Sequence, residues 1–536
     1  MSGLTHEKLL ERLEQLTAIG ASLSAEKNTP RLLESILLAA KSLTNADGGT
    51  LYRVADGHLS FEIMRTDTLG IAMGGTTGKP IPFPSLPLYL DDGQPNEHLV
   101  VAYAVLHDCT VNIADAYEAE GFDFSGTRKF DQNTGYRSQS FLTVPMKNHE
   151  NEIIGVLQLI NARDHDGGAI IPFSVEDQSF AESLASQAAI ALTNRQLIDQ
   201  LERLFESFIK LINIAIDEKS PYTAGHCERV PVLTMMLADA VDAVDDGPLK
   251  DFRLDEKGRH ELKIAALLHD CGKVTTPVHV VDKASKLQTL YDRIHEIDTR
   301  FEVLKRDAEI AMLKKRLAGG DAAEAERAYM ERQRQLDEDR EFLRKCNVGG
   351  EFMSAALQER VKAIAANRWM NPAGESAPLL SDEEVANLNI AKGTLTDAER
   401  EVINYHVVAT IKMLEALPWP RHLSHVPEYA GGHHERMDGK GYPRGLMREQ
   451  MSLQARMMAI ADVFEALTAK DRPYKEGKKL SEALAILGRM KQDNHVDPDL
   501  FDAFIRQKVY LRYAQGFLEP SQLDAVDEGK IPGYTP

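Results

Sequence analysis

The stretch His433-His434-Glu435-Arg436-Met437-Asp438-Gly439-Lys440-Gly441-Tyr442-Pro443 joins metal-ligand chemistry to an unusual backbone. Imidazoles bind Zn, Fe, Ni or Cu well. Gly439 and Gly441 permit backbone geometries closed to other residues, and Pro443 fixes the exit. Adjacent histidines alone say little, because a lone histidine is more often a hydrogen-bonded structural residue than a ligand.

A second cluster stands upstream, His269-Asp270-Cys271-Gly272-Lys273. Ile264, Ala265, Leu267 and Leu268 form the apolar face of a helix that ends there. That face sets His269 and Asp270 against the core, where a His-Asp pair is costly unless bonded to something. Together the two strings resemble the HD-GYP family, bacterial metal-dependent phosphodiesterases of the HD superfamily. The resemblance implies an all-α catalytic domain and a set of metal ligands.

That set begins at His226, in Tyr222-Thr223-Ala224-Gly225-His226-Cys227-Glu228-Arg229-Val230. Some members carry a glutamate four residues before this histidine, implicated in a third metal. Tyr222 stands there instead, which implies two metals. His406 follows in the family's LTxxE…H helix, Leu395 to His406; the rival His295 reads as an ordinary helix residue. Asp462, after the apolar run Met457 to Ala461, closes the first site. The resemblance thus implies His226, His269, Asp270 and Asp462 around one ion, and His406, His433 and His434 around the other, with Asp270 bridging. A mixed imidazole and carboxylate set suits Fe or Mn, with Zn or Ni next. Two such ions support in-line attack on a phosphodiester. Lys273 is the expected partner of phosphate charge. Tyr442, Arg472 and Lys475 are the expected contacts to base or phosphates, and Cys271 reads as a small packing residue.

At 536 residues the chain exceeds a single core, and about three or four folding units are expected. Lys and Arg number 62 against 82 Asp and Glu, a formal charge of −20. That excludes non-specific binding to nucleic acid polymers or anionic membranes, yet permits a small anionic substrate where metals reverse the local field. Cys109, Cys227, Cys271 and Cys346 are scattered, which fits a reducing compartment. The start reads as an amphipathic helix over residues 1–15 rather than a signal peptide, and no apolar run is long enough to span a bilayer. A cytoplasmic protein is expected.

Residues 16–173 alternate helical and strand patterns: a helix at Thr29–Leu43, then strands at Gly49–Val54, Phe141–Met146 and Ile153–Ile160. With Asn112 to Tyr117, Lys129-Phe130-Asp131 and Thr134 to Ser138, this order resembles a GAF sensor domain. The family implies an α+β unit with helices on one side of an antiparallel sheet and a pocket on the other. Two readings stay open there: a small-molecule or cyclic-nucleotide ligand, or a filled pocket in a dimerisation module.

Residues 174–219 read as one connecting helix. Ile190, Asn194, Leu197, Leu201, Leu204, Phe208 and Leu211 alternate spacings of four and three, a coiled-coil seam that predicts a parallel homodimer. The alternative packs this stripe on the chain's own domains. Residues 220–536 then form the catalytic domain, interrupted at about 284–391 by a charged helical insertion. Its arms are expected near Leu287–Leu317 and Ala322–Cys346, turned at Gly319-Gly320, with a shorter helix at Glu351–Asn367. A solvated protrusion or a partner surface is the simplest expectation for it.

The resemblance implies hydrolysis of cyclic di-GMP to linear pGpG and onward to GMP, under control of the sensor. Two other readings are a different cyclic dinucleotide such as cyclic GMP-AMP, and a catalytically silent receptor. An intact ligand set argues against silence.

Overall fold

The computed structural model describes residues 6–164, 168–219, 225–349, 352–470 and 477–535. Two compact units divide the chain, Met1–Phe205 and Glu206–Pro536.

The first unit is α+β. Its antiparallel sheet runs in the spatial order Ile71–Gly74, His58–Thr66, Ala46–Ala55, Ile153–Arg163, Phe141–Lys147, Val111–Ile113. Helix Thr29–Thr44 packs on one face. Asn28 caps it by accepting from Arg31 N at 3.0 Å, Pro30 sits in its first turn, and Asn45 ends it in the left-handed region. Leu32, Ile36, Leu37 and Ala40 meet Leu51, Ile63, Leu157 and Leu159 of the sheet and Leu184, Ala188 and Leu192 of the following helix. Deleting one of these buried leucines would cost about 2–5 kcal/mol. The first helix runs His6–Ala25, past the expected end at residue 15, because Leu16 and Leu23 are buried in the same core.

The sheet's other face carries two further apolar clusters. Tyr52, Leu59, Val101, Ala102 and Val156 form one cluster, and Val100, Ile113, Phe124 and Phe141 another.

Helix Val175–Lys219 is 45 residues long and crosses the boundary between the units. Leu201, Leu204, Phe208 and Leu211 on it are each more than half exposed, so the apolar seam is solvent-facing in the single chain. Among the described residues no helix is long and apolar enough to cross a membrane.

The second unit is helical. The insertion within it has its own core, so it is a folded body. Helices Ile294–Leu317 and Ala322–Asn347 turn through Gly319, at φ 83°. Ile297, Phe301 and Leu304 of one arm and Leu336 and Leu343 of the other enclose Val361, Ile364, Leu379 and Leu388 from later elements. Helix Asp382–Leu388 closes the body through Glu384, which takes a two-pronged pair from Arg300 at 2.7 and 3.0 Å. Charge patterning alone hid this core, because each arm shows solvent a face of ion pairs such as Arg344–Asp298.

Candidate metal centre

Five separate segments deliver the candidate ligands. His226 opens helix His226–Asp242, and His269 caps the end of Glu256–Leu268 with Asp270 beside it. His406 lies within Asp397–Glu415, whose start is fixed by a reciprocal cap between Thr396 and Glu399. His433 and His434 follow the short helix Val426–Gly431, and Asp462 lies in Leu453–Thr468.

These residues converge. His226 Nε2 and His269 Nε2 stand 3.2 and 3.1 Å from Asp270 Oδ2, and Asp462 Oδ1 lies 3.2 Å from His226 Nε2. The other oxygen, Asp270 Oδ1, lies 3.3 Å from His406 Nε2 and 4.0 Å from His433 Nε2. Two groups can each hold an ion, one of His226, His269 and Asp270, the other of His406, His433 and His434. Asp270 faces both. His295 is exposed on the insertion, away from this cluster.

Three buried atoms here have no hydrogen-bond partner: Asp270 Oδ1, His406 Nε2 and His433 Nε2. A buried polar atom left so costs about 1–3 kcal/mol. Three of them aimed at one point are what a cation would satisfy. The histidines are also oriented for it. Nδ1 of His269, His406 and His433 meets the carbonyls of Ala266, Ile403 and Ala430 at 2.7, 2.5 and 2.5 Å, which turns each Nε2 inward. The donor set therefore fits divalent metal.

Electrostatics favour the ligating forms. Burial works against an ionised Asp270, but Lys273 and His269 hold its carboxyl well below the usual range. Burial lowers His433 strongly and His434 to about 4, which keeps both rings neutral at pH 7. Lys273 reaches Asp270 Oδ2 at 2.5 Å from the turn Cys271–Thr275. Gly272 in that turn is irreplaceable on packing grounds: a Cβ there would sit 2.0 Å from His406 O. The glycine lets the Asp270 turn press against the His406 helix, and Gly272 N donates to Thr410 Oγ1 at 2.9 Å.

The loop after His434 is pinned by Glu435, a residue the sequence reading passed over. Its buried carboxylate accepts from Arg444 N at 2.7 Å and Leu446 N at 2.9 Å. Gly441 packs so tightly that a Cβ would meet Arg436 N at 2.3 Å. Tyr442 stacks on His434 with centroids 4.9 Å apart, and the Tyr442–Pro443 bond is cis. Glu465 was missed too. It bonds His226 Nδ1 and is held by Arg229 Nε at 2.7 Å. Its signal was available: it lies one helical turn after Asp462, on the same inward face.

A cleft of about 510 Å³ opens beside the cluster, lined by His434, Tyr442 and Asp462 together with Arg436, Lys440 and His495. Arg472, Lys475 and Tyr222 lie outside the described residues.

Comparison with known families agrees with this architecture. The GAF domain family matches residues 28–192, and HD domain families match 223–344 and 379–500. A cyclic di-GMP phosphodiesterase of Pseudomonas aeruginosa is 44% identical over 115 residues, 21% of this chain and 26% of that protein. A 3'3'-cGAMP-specific phosphodiesterase of Vibrio cholerae is 46% identical over 81 residues, 15% of this chain and 19% of that protein. The matched stretches span between 19% and 37% of the length of such curated relatives. Among solved structures, a GAF domain of a phosphoenolpyruvate-protein phosphotransferase from Coxiella burnetii covers 36% of this chain and 98% of its own, at 15% identity and a TM-score of 0.28. The chain joins a GAF domain to an HD domain.

Proposed function

We propose that the chain is a metal-dependent phosphodiesterase that hydrolyses cyclic di-GMP to linear pGpG and onward to GMP. The observation that carries this is Asp270, whose two oxygens each face a different group of histidines. His226, His269, Asp270 and Asp462 would hold one ion, and His406, His433 and His434 the other, with Fe or Mn best suited to the donors. When bound, two such ions supply Lewis acidity toward the phosphodiester. The chain's residues do the rest. Lys273 offsets charge that builds on the phosphate oxygens. Tyr442 walls the cleft over His434, and Arg472 and Lys475 are the proposed contacts to base or phosphate.

A cyclic GMP-AMP dinucleotide is the second substrate reading, favoured by the name of the Vibrio cholerae relative. The sensor, placed at residues 16–173, would regulate the catalytic residues 220–536, with a small-molecule or cyclic-nucleotide ligand at the GAF domain. The exposed seam at Leu201 to Leu211 supports a homodimer through helix 174–219. Four unpaired cysteines support a cytoplasmic setting.

Purified full-length protein, with its metal content measured, should linearise cyclic di-GMP and yield pGpG before GMP. Fully metal-loaded protein that cleaves neither cyclic di-GMP nor cyclic GMP-AMP would overturn the proposal.

A further inference from the structure

The cleft beside the metal cluster contains a polar side chain with no task in the chemistry so far. Among the described residues its cations are already paired, Lys440 with Asp438 at 3.6 Å. Arg436 forms a two-pronged pair with Asp438 at 3.0 and 2.9 Å, and Lys478 pairs with Glu482. His495 differs: among the described residues neither of its ring nitrogens has a hydrogen-bond partner, although the ring is half-buried in the cleft wall. Burial, with Arg436 adding to it, lowers the pKa of this imidazole, so the ring is neutral at pH 7 and carries one N–H donor.

The backbone that presents His495 is held on both sides. Arg436 donates to the carbonyl of Asp493 at 3.1 Å, and His495 N donates to Met490 O at 2.8 Å. Two residues further on, the fully buried Asp497 accepts from Arg448 at 2.8 Å and Arg456 at 2.5 Å, and caps helix Pro498–Arg506. Val496 is buried between these anchors and Asn494 takes a positive φ of 51°. Such bracing costs little on binding and aims one side chain at whatever enters. Arg436 also links this loop to the segment bearing His433 and His434. The loop and the ligands are therefore set relative to each other through one guanidinium.

We propose that His495 is a base-reading residue, donating its imidazole N–H to N7 of a purine whose phosphodiester lies against the metal-ligand cluster. N7 is an acceptor common to guanine and adenine. His495 would therefore select purine over no base without choosing between the two purines. This inference rests on the cyclic-dinucleotide reading given above.

The test uses full-length His495→Ala and His495→Gln, with cyclic di-GMP, cyclic GMP-AMP and bis(p-nitrophenyl) phosphate, a diester with no purine. Loss of one hydrogen bond predicts a KM about tenfold higher for both dinucleotides in His495→Ala, with kcat changed far less and metal content as in the parent. The purine-free diester should lose much less, and His495→Gln, which restores a donor, should recover part of the KM. An unchanged KM for both dinucleotides, or an equal loss on the purine-free diester, overturns the inference while leaving the phosphodiesterase reading standing. A parent protein that cleaves the simple diester but no cyclic dinucleotide overturns both.

Discussion

Asp270 Oδ1 and His406 Nε2 lie 3.3 Å apart, both buried, and neither makes a hydrogen bond. A carboxylate oxygen and a ring nitrogen at that separation would share a proton if the imidazole were turned to offer one. His406 instead gives its Nδ1 to the Ile403 carbonyl, so both facing atoms are left as lone-pair donors. A shared cation reconciles them. Asp270→Asn keeps the shape and removes the charge that both groups need. Elemental analysis should find about two metals per parent chain, with none bound stably in this variant, and turnover should fall at least about 100-fold. Full loading of Asp270→Asn would rule out the bridging role, and three metals per chain would rule out a two-ion site.

Glu465 acts on His226 from behind, with Arg229 fixing its other oxygen. Glu465→Gln should lower metal affinity or activity about 10–100-fold while the helices stay folded. Circular dichroism with metal titration separates the two effects.

Lys273 lies at 2.5 Å from Asp270 but is not a metal ligand by chemistry. Lys273→Ala should keep the metals and lose turnover by roughly 100-fold or more, the scale of removing one charge-stabilising donor. Loss of metal together with activity would make its role that of organising Asp270 instead.

The exposed seam of the long helix gives a test of assembly. A charged residue at both Leu201 and Leu204 should weaken self-association, because each would face its counterpart across a two-stranded seam. Sedimentation that still reports a dimer would place the interface elsewhere.

The Arg300–Glu384 pair gives the insertion a pH signature. Burial pushes the Glu384 carboxyl up, and the bonds from Arg300 and Ser381 more than offset this, leaving it below 4.5. A depressed carboxyl contributes stability that is present above its unfolded value and lost as pH falls through the folded one. Arg300→Ala leaves a buried carboxylate unpaired, at about 3–5 kcal/mol near pH 7. The gap in thermal stability between parent and variant should hold from pH 7 to about 4.5 and close as pH falls below that. A gap that widens on acidification would show that the pair is not the source.

The candidate site was legible because its residues are punctuated locally. Histidines next to aspartate, histidine or a glycine loop stand out in a linear chain, and His269, Asp270, His406, His433, His434 and Asp462 meet as their order implied. The supporting residues were not, since Glu465 and Glu435 are ordinary acidic residues until the helix and loop turn them inward. The insertion was legible as two helices but not as a core. Its buried positions come from seven segments whose individual patterns look mostly polar. The GAF sheet was readable from alternating strands, whereas the clusters behind Tyr52 and Phe141 depend on pairings distant in sequence.

The insertion departs from the helical second unit and returns to it at one point. Thr394 Oγ1 donates to Lys283 O at 3.0 Å, and Lys286 Nζ reaches the carbonyls of Leu388 and Ile390 at 2.9 and 2.7 Å. A body with its own core and adjoining ends is, in engineering terms, a cassette. Residues 285–391 can be lifted out and the chain rejoined across that gap with hardly a change of path, and another compact domain can be spliced in its place. Lys283 would then keep its grip on Glu399 at 2.7 Å, and with it the start of the helix that carries His406. The same join makes this edge of the helical unit a port where a foreign sensor could be wired to the metal-ligand cluster.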